Sequence, residues 1–211
     1  MLICHQYKFI FIHVYKVAGT SIESVLNKYT LPPYDSAITK DLQKTGHLPC
    51  TENFRRHVKA KRVRAELGAE TFEGFFKFAF VRNPWDWQVS LYQYMLQEEY
   101  HYQHKLIKSM AGFEEYVEWR VSKERVLQKA FVSDKQGNII VDFVGRYENL
   151  QADFQKVCEK IGVTATLLPH LNRSNHLDYR EYYNKRTKNL IFKHFQEDIE
   201  LFCYDFDGKL R

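Results

Sequence analysis

The segment Phe9–Ser24 reads FIFIHVYKVAGTSIES, and within it Lys16, Val17, Ala18, Gly19, Thr20 and Ser21 gather one ammonium, one glycine and two hydroxyls in six consecutive positions. An apolar run, a short turn and a helix start bring backbone N–H groups and the positive helix end to one point. A phosphate or sulfate group fits there. Gly19 lets the backbone approach such a group, Thr20 and Ser21 place hydroxyls at the helix start, and Lys16 puts a full charge at the loop mouth. A Walker A loop is a different object: it requires G-x-x-x-x-G-K-[ST], with the lysine directly before the helix hydroxyl. Here the lysine comes first. The plainer reading is a strand–turn–helix with a surface lysine.

A second segment, Lys77–Met95, reads KFAFVRNPWDWQVSLYQYM. Its apolar start delivers Arg82 to the C-terminal end of a strand, where ligands bind in open α/β sheets. The guanidinium is a planar fork suited to phosphate oxygens. Ser90 follows eight residues later, about two turns into a helix, so the fold must bring it back toward the arginine. An arginine capping carbonyls and a serine facing solvent is the alternative. Two anion-binding elements after successive strands suggest one ligand with two anionic groups.

Together KVAGTS and FVRNPWDWQVSLY resemble the sulfotransferase superfamily, which uses 3′-phosphoadenosine 5′-phosphosulfate. Three later segments resemble its family-2 branch, which includes carbohydrate sulfotransferases: VGRYENLQADF at Val144–Phe154, LPHLNRSN at Leu168–Asn175 and DIELFCYDF at Asp198–Phe206. The five occur in the family's order from about residue 9 to residue 206. The resemblance implies that Lys16 and the backbone of Val17–Ser21 contact the 5′-phosphosulfate, and that Arg82 and Ser90 hold the 3′-phosphate. Tyr147 lies where related enzymes place an adenine contact, although an aromatic there also suits a core. Trp87 stands where many members carry a second arginine, a position open to core packing or to walling the adenine site. Arg173 is a candidate to close over the nucleotide, with Asn172, Ser174 and Asn175 as hydrogen-bonding partners; polar turn residues are the alternative.

Sulfuryl transfer needs a base to make the acceptor hydroxyl more nucleophilic. His57, which begins HVKAKRVRAELG just before a helix leading into the Arg82 strand, is the leading candidate, since related enzymes place a catalytic histidine similarly. His47, in KTGHLP, is the second, and a glutamate, His170 or His176 completes the set. His5, His101, His104 and His194 fall outside the resembling motifs and are expected at the surface, and His13 reads as a satisfied core histidine. Lys16 has a second implied role: its ammonium meets the charge growing on the bridging oxygen as the S–O bond breaks. No metal-ligand cluster is visible, and none is expected.

Positioning these residues takes alternating strands and helices. Phe9–Val14 and Phe75–Val81 read as buried strands. Helices are expected over Thr20–Tyr29, with Thr20 or Ser21 as cap and Glu23 in its first turn, and over Lys59–Leu67, Trp85 to about Gln97, Phe113–Val121, Asn149–Ile161 and most of Tyr179–Phe202. Asp134–Asn138, between Ala130–Val132 and Ile139–Val144, is a hairpin signature. The expected fold is α/β, a three-layer P-loop-like arrangement with a central parallel sheet flanked by helices, plus a small β-hairpin insertion. Residues 32–55 form a long polar connection, and long connections are often functional.

At 211 residues, 45% hydrophobic and 27% charged, the chain is read as one domain, residues 1–211. Disordered, collagen-like and coiled-coil classes are excluded. Lys and Arg exceed Asp and Glu by 31 to 26, a mild bias toward anionic ligands that does not point to nucleic acid. Arg55, Arg56, Lys59, Lys61, Arg62 and Arg64 fall in ten residues, either a solvated helix face or a docking surface for an anionic acceptor such as a sulfated glycan. Cys4, Cys50, Cys158 and Cys203 contain no C-x-x-C pair, so free thiols in a reducing compartment are expected. No stretch reads as a signal peptide or membrane span, and with Met1 as the native start the expected location is cytoplasmic. The expected function is sulfuryl transfer to a hydroxyl or amine of an acceptor, with carbohydrate among the candidates. A non-catalytic nucleotide- or glycan-binding protein and a P-loop-like kinase are the alternatives.

Overall fold

Every side chain of Phe9–Ile12 is buried, as are the last five of Phe76–Val81. Strands covered on both faces belong in the middle of a parallel sheet, and continuous apolar runs are their signature. The computed structural model describes residues 1–30, 56–123, 125–164, 167–169 and 177–208. In chain order the elements are β1 (Leu2–Cys4), β2 (Phe9–Ile12), α1 (Gly19–Leu26), α2 (Ala60–Leu67), α3 (Ala69–Glu73), β3 (Phe76–Val81), α4 (Pro84–Gln97), α5 (His104–Lys108), α6 (Phe113–Val121), α7 (Lys129–Val132), β4 (Phe143–Arg146), α8 (Leu150–Ile161), α9 (Lys185–His194) and α10 (Gln196–Leu201). The chain is mixed α/β, with a central sheet flanked by helices, and it divides into two compact units: Met1–Val81 with Ala130–Asn172, and Arg82–Lys129 with Arg173–Arg211.

The first unit holds the sheet, in the order β1-β2-β3-β4. β2, β3 and β4 run parallel, with Ile12 opposite Ala79 and Val81 opposite Arg146. Their C-terminal ends therefore share one edge of the sheet. β1 adds an antiparallel edge strand that the short run Leu2-Ile3-Cys4 does not announce. Phe11 stacks on Phe78 at 5.2 Å between ring centroids, and Phe80 meets Phe78 edge-on at 6.5 Å. Truncating one such buried ring to alanine typically costs about 3–5 kcal/mol. Gly145 must be glycine, because a Cβ there would lie 2.5 Å from the Phe80 ring.

The hairpin is much reduced. Its turn forms, with the Asp134 carboxylate accepting from the Gln136 and Asn138 N–H groups at 2.9 Å each. One antiparallel bridge, Ser133 to Ile139, is all that pairs around it. Asp142 explains why: its carboxylate accepts from the Lys77 N–H at 2.7 Å and its own N–H donates to the Lys77 carbonyl at 2.8 Å. Those bonds draw the chain alongside β3, and Val144 joins the central sheet as part of β4.

In the second unit Asn83 caps α4, its Oδ1 accepting from the Trp85 N–H at 3.1 Å, with Pro84 in the first turn. The expected helix over Tyr179–Phe202 is broken into a 3-10 turn (Tyr179–Tyr182), α9 and α10. After the break at Phe195, the Asp198 carboxylate accepts from the N–H groups of Gln128 and Lys129 at 2.7 and 2.8 Å. Among the described residues no helix is long and apolar enough to cross a membrane.

Candidate functional site

The residues after β2 take a backbone path unusual for their types. Lys16 has φ 61° and Ala18 φ 64°, both in the left-handed region, where a non-glycine residue costs about 1–2 kcal/mol. Such strain clusters at functional sites. The second of these residues is the N-cap of α1, and alanine has no side chain to cap with. Thr20 and Ser21, expected as caps, lie inside the first turn instead. The left-handed residue at position 18 starts the helix earlier than expected, at Gly19, and leaves the start of α1 with no side-chain cap from its own N-cap residue, which suits an anion. Val17 is fully buried and anchors the loop, while Lys16 is half-buried.

Gly19 has a second reason beside the expected one. A Cβ on it would lie 1.9 Å from Nε2 of His13, so the space is filled by the imidazole of the residue that follows β2. His13 is buried, and its Nδ1 lies 2.8 Å from Glu23 Oε1. Glu23, expected as a first-turn acidic residue, sits deeper in α1 and turns inward to this histidine. Burial lowers the His13 imidazole to about 4 despite the carboxylate beside it. Burial pushes the Glu23 carboxyl up, but hydrogen bonds from His13 and the Met1 ammonium outweigh that and hold it at about 2. The pair is therefore neutral imidazole and carboxylate at pH 7, with the His13 proton on Nδ1.

His57 is brought to this loop from 44 residues away in sequence. Its Nδ1 is 3.1 Å from the His13 carbonyl oxygen. Its ring stands edge-on to His13 at 4.7 Å and to Tyr15, the neighbour of Lys16, at 5.9 Å. A carbonyl can only accept, so Nδ1 carries the hydrogen and Nε2 the lone pair. Burial of part of the ring lowers its pKa, helped by the Met1 ammonium and Arg56. The residue itself remains exposed. This is the form a general base needs. His47, like Arg173, Asn172, Ser174, Asn175, His170, His176 and Arg55, lies outside the described residues.

Arg82 directly follows β3 and is buried. The Gln128 side chain grips its backbone, accepting from the Arg82 N–H at 2.9 Å and donating to the Arg82 carbonyl at 2.8 Å. Its guanidinium is engaged by Asp86, through Nε at 2.7 Å and Nη2 at 2.9 Å. The fork expected to face a ligand thus presents one edge to a carboxylate in the first turn of the following helix, α4. Asp86 and the buried Ser90 are four apart on α4 and share a face. Trp87 is fully buried and meets Phe195 edge-on at 5.9 Å, a core role. Tyr147, half-buried, opens the 3-10 turn after β4.

Surface expectations change, and His194 is half-buried rather than at the surface. His104 is buried, its Nδ1 3.0 Å from the Met95 carbonyl. The basic run is partly neutralised: Arg62 pairs with Glu66 at 2.5 Å, Arg64 with Glu73 at 3.1 Å and Arg56 with Glu23 at 3.3 Å. Sequence reasoning missed Glu23 and Asp86 as partners. The second was readable from its i,i+4 spacing to Arg82; the first has no local signal. Among the described residues no group of three or more His, Cys, Asp or Glu side chains is placed to hold a metal ion.

Comparison with known proteins matches residues 1–205 to the model of the Sulfotransferase family. An uncharacterized protein of Archaeoglobus fulgidus is 30% identical over 120 residues, covering 56% of this chain and 94% of the relative. Among solved structures, mouse sulfotransferase SULT7A1 complexed with PAP superposes with a TM-score of 0.55 at 12% identity, covering 94% of this chain and 86% of that one. At that identity the likeness shows the fold.

Proposed function

Since this chain belongs to the sulfotransferase family, we propose that it transfers a sulfuryl group from 3′-phosphoadenosine 5′-phosphosulfate to a hydroxyl or amine of an acceptor, with His57 as general base. The observation that carries this reading is the His57 Nδ1 contact to the His13 carbonyl, beside the strained Lys16–Ala18 loop. The proposal takes residues 1–211 as one sulfotransferase domain and carbohydrate as the first acceptor class to screen. It takes the cytoplasm as the location, in keeping with buried free thiols at Cys4 and Cys158.

The loop fits an anionic co-substrate: N–H groups of the first turn of α1, no side chain on the N-cap to occupy them, and a lysine at the mouth. In this reading Lys16 and the backbone of Val17–Ser21 hold the 5′-phosphosulfate. Arg82 and Ser90 hold the 3′-phosphate, Tyr147 contacts the adenine and Arg173 closes over the nucleotide. The co-substrate supplies an activated sulfuryl group. His57 Nε2 takes the acceptor proton as the acceptor oxygen or nitrogen attacks sulfur in line with the bridging oxygen. Lys16 stabilises the negative charge left on that oxygen by the departing electron pair.

The first test is thermal stability with and without 3′-phosphoadenosine 5′-phosphate, against ATP with magnesium. At about 100 times its dissociation constant a ligand adds about 2.7 kcal/mol, roughly 5–11 °C for a chain of this size. A shift with the bisphosphate and sulfate transfer in an acceptor screen, undiminished by a chelator, is the expected result. A shift without transfer to any acceptor would favour a binding protein, and a response to ATP with magnesium alone would favour a kinase.

A further inference from the structure

Glu23 does more than satisfy one histidine. Its Oε1 lies 2.8 Å from His13 Nδ1 and 2.6 Å from the Met1 ammonium, and its Oε2 lies 3.3 Å from Arg56 Nη2. The carboxylate stands on α1, the helix whose first turn is the anion loop. It is buried, and so is His13. Through His13 it reaches both halves of the candidate site. The His13 ring occupies the place of a Gly19 side chain, and the His13 carbonyl holds His57 Nδ1. Through Arg56 it reaches the residue bonded to His57. A carboxylate that accepts from Nδ1–H fixes the plane and tautomer of an imidazole, and here that imidazole lies under Gly19.

The geometry points to Glu23 and His13 as a positioning pair: a buried carboxylate–imidazole couple that sets the loop through Gly19 and orients His57 through the His13 carbonyl and Arg56. The inference rests on the reading of His57 as the base, and neither residue is assigned a proton in the reaction. What it explains is how two segments 44 residues apart are kept in mutual register, which a base needs because a misplacement of about 1 Å can lower a rate by a factor of 10².

The test reads His57 directly. Nitrogen-15 histidine spectra of the full chain, with His57→Ala to assign the signal, give the His57 tautomer and titration midpoint without any turnover. Among the described residues the groups facing His57 are Glu23 from α1, Arg56 beside it, the Met1 ammonium, His13 and Tyr15. Glu23→Gln removes a negative charge and the Arg56 anchor. The midpoint should fall, and the Nδ1–H tautomer should give way to a mixture. Arg56→Gln, at an exposed position, should move the midpoint the other way. In the transfer assay Glu23→Gln should lower kcat about 10- to 100-fold with nucleotide affinity changed much less, and the acid limb of the pH profile should follow the midpoint. Should Glu23→Gln fail to fold, Glu23→Asp and Arg56→Gln carry the measurement. An unmoved midpoint and unmixed tautomer in these variants would overturn the pairing. Moved midpoints with normal turnover in His57→Ala would uphold the pairing and remove His57 as the base, so the two failures are told apart.

Discussion

Asp86 grips Arg82 by two bonds, Oδ2 to Nε at 2.7 Å and Oδ1 to Nη2 at 2.9 Å, with both side chains largely out of water. The arginine is thus held in one orientation, which would lower the entropy lost on binding the proposed 3′-phosphate. It also means that removing the arginine strands a carboxylate. Arg82→Ala should destabilise the fold by about 3 kcal/mol, the scale for breaking a buried pair. It should also weaken binding of 3′-phosphoadenosine 5′-phosphate by about 1.5–3 kcal/mol. The double change Arg82→Ala with Asp86→Ala should recover stability and not binding. Urea unfolding and calorimetric titration separate the two, and wild-type affinity in the single variant would take Arg82 out of the site.

Gly19 supports a steric prediction. A Cβ there meets His13 Nε2 at 1.9 Å, and the backbone at this glycine is not in the left-handed region, so the conflict is steric, with the imidazole nearest to it. His13 is buried and tied to Glu23, so it has little room to yield. Gly19→Ala should destabilise by about 1–3 kcal/mol and reduce turnover. Adding His13→Ala vacates the space, and the two changes should then be strongly non-additive. Additive losses in denaturant unfolding would mean that the ring and the loop do not press on each other.

Acid should act on the fold in opposing directions. The His13 imidazole is lowered from 6.5 to about 4 by burial, so between those values the unfolded chain takes a proton that the folded chain refuses, and stability falls as pH drops. The shift corresponds to about 3 kcal/mol. Burial raises the Asp198 carboxyl from 3.8 to about 6, so the folded chain takes its proton first and stability rises as pH drops through that window, again by about 3 kcal/mol. His194, lowered to about 4 mainly by burial, adds to the loss. Wild-type stability should therefore show a net fall as pH drops from 6.5 to 4, the two histidines outweighing Asp198. Asp198→Asn should steepen the acid loss, and His13→Asn should reverse or flatten it. Below pH 4.5 protonation of Glu23 removes its contribution as pH falls toward 2. Urea midpoints at several pH values check the signs.

The sequence carried the elements whose signal is local. The apolar runs Phe9–Val14 and Phe75–Val81 became the slightly shorter β2 and β3, and Phe113–Val121 became α6 with the expected bounds. Asn83-Pro84 announced the start of α4, and Gly162, at φ 72°, closes α8 as expected. What it did not carry was decided by contacts between segments. Nothing near Val144 shows that Asp142 will bond the Lys77 backbone and convert half of a hairpin into a parallel strand. Nothing near Thr20 shows that Ala18 will turn left-handed and take the cap position. His13 read as a satisfied core histidine, which its bond to Glu23 supports, yet its further contacts with Gly19 and His57 join positions far apart in sequence.

Lys16 and His57 make separate kinetic predictions. His57→Ala should cost about 10²–10⁴-fold in rate, the range for a lost general base, and a near-normal rate would pass the role to His47. Lys16→Ala should lower turnover more than nucleotide affinity, because the ammonium is assigned to charge that grows only in the transition state. The backbone at Lys16 sharpens this further. At φ 61° a lysine is strained and a glycine is not, so Lys16→Gly should relieve about 1 kcal/mol of strain. Part of that gain is offset by the greater freedom glycine brings to the unfolded chain. The expected variant is at least as stable as wild type and nearly inactive, the combination that marks a residue kept in a strained conformation for its chemistry. Melting temperature and kcat measured side by side decide it: a destabilised Lys16→Gly, or one that still turns over at the wild-type rate, would show that the lysine holds the loop rather than serving the reaction.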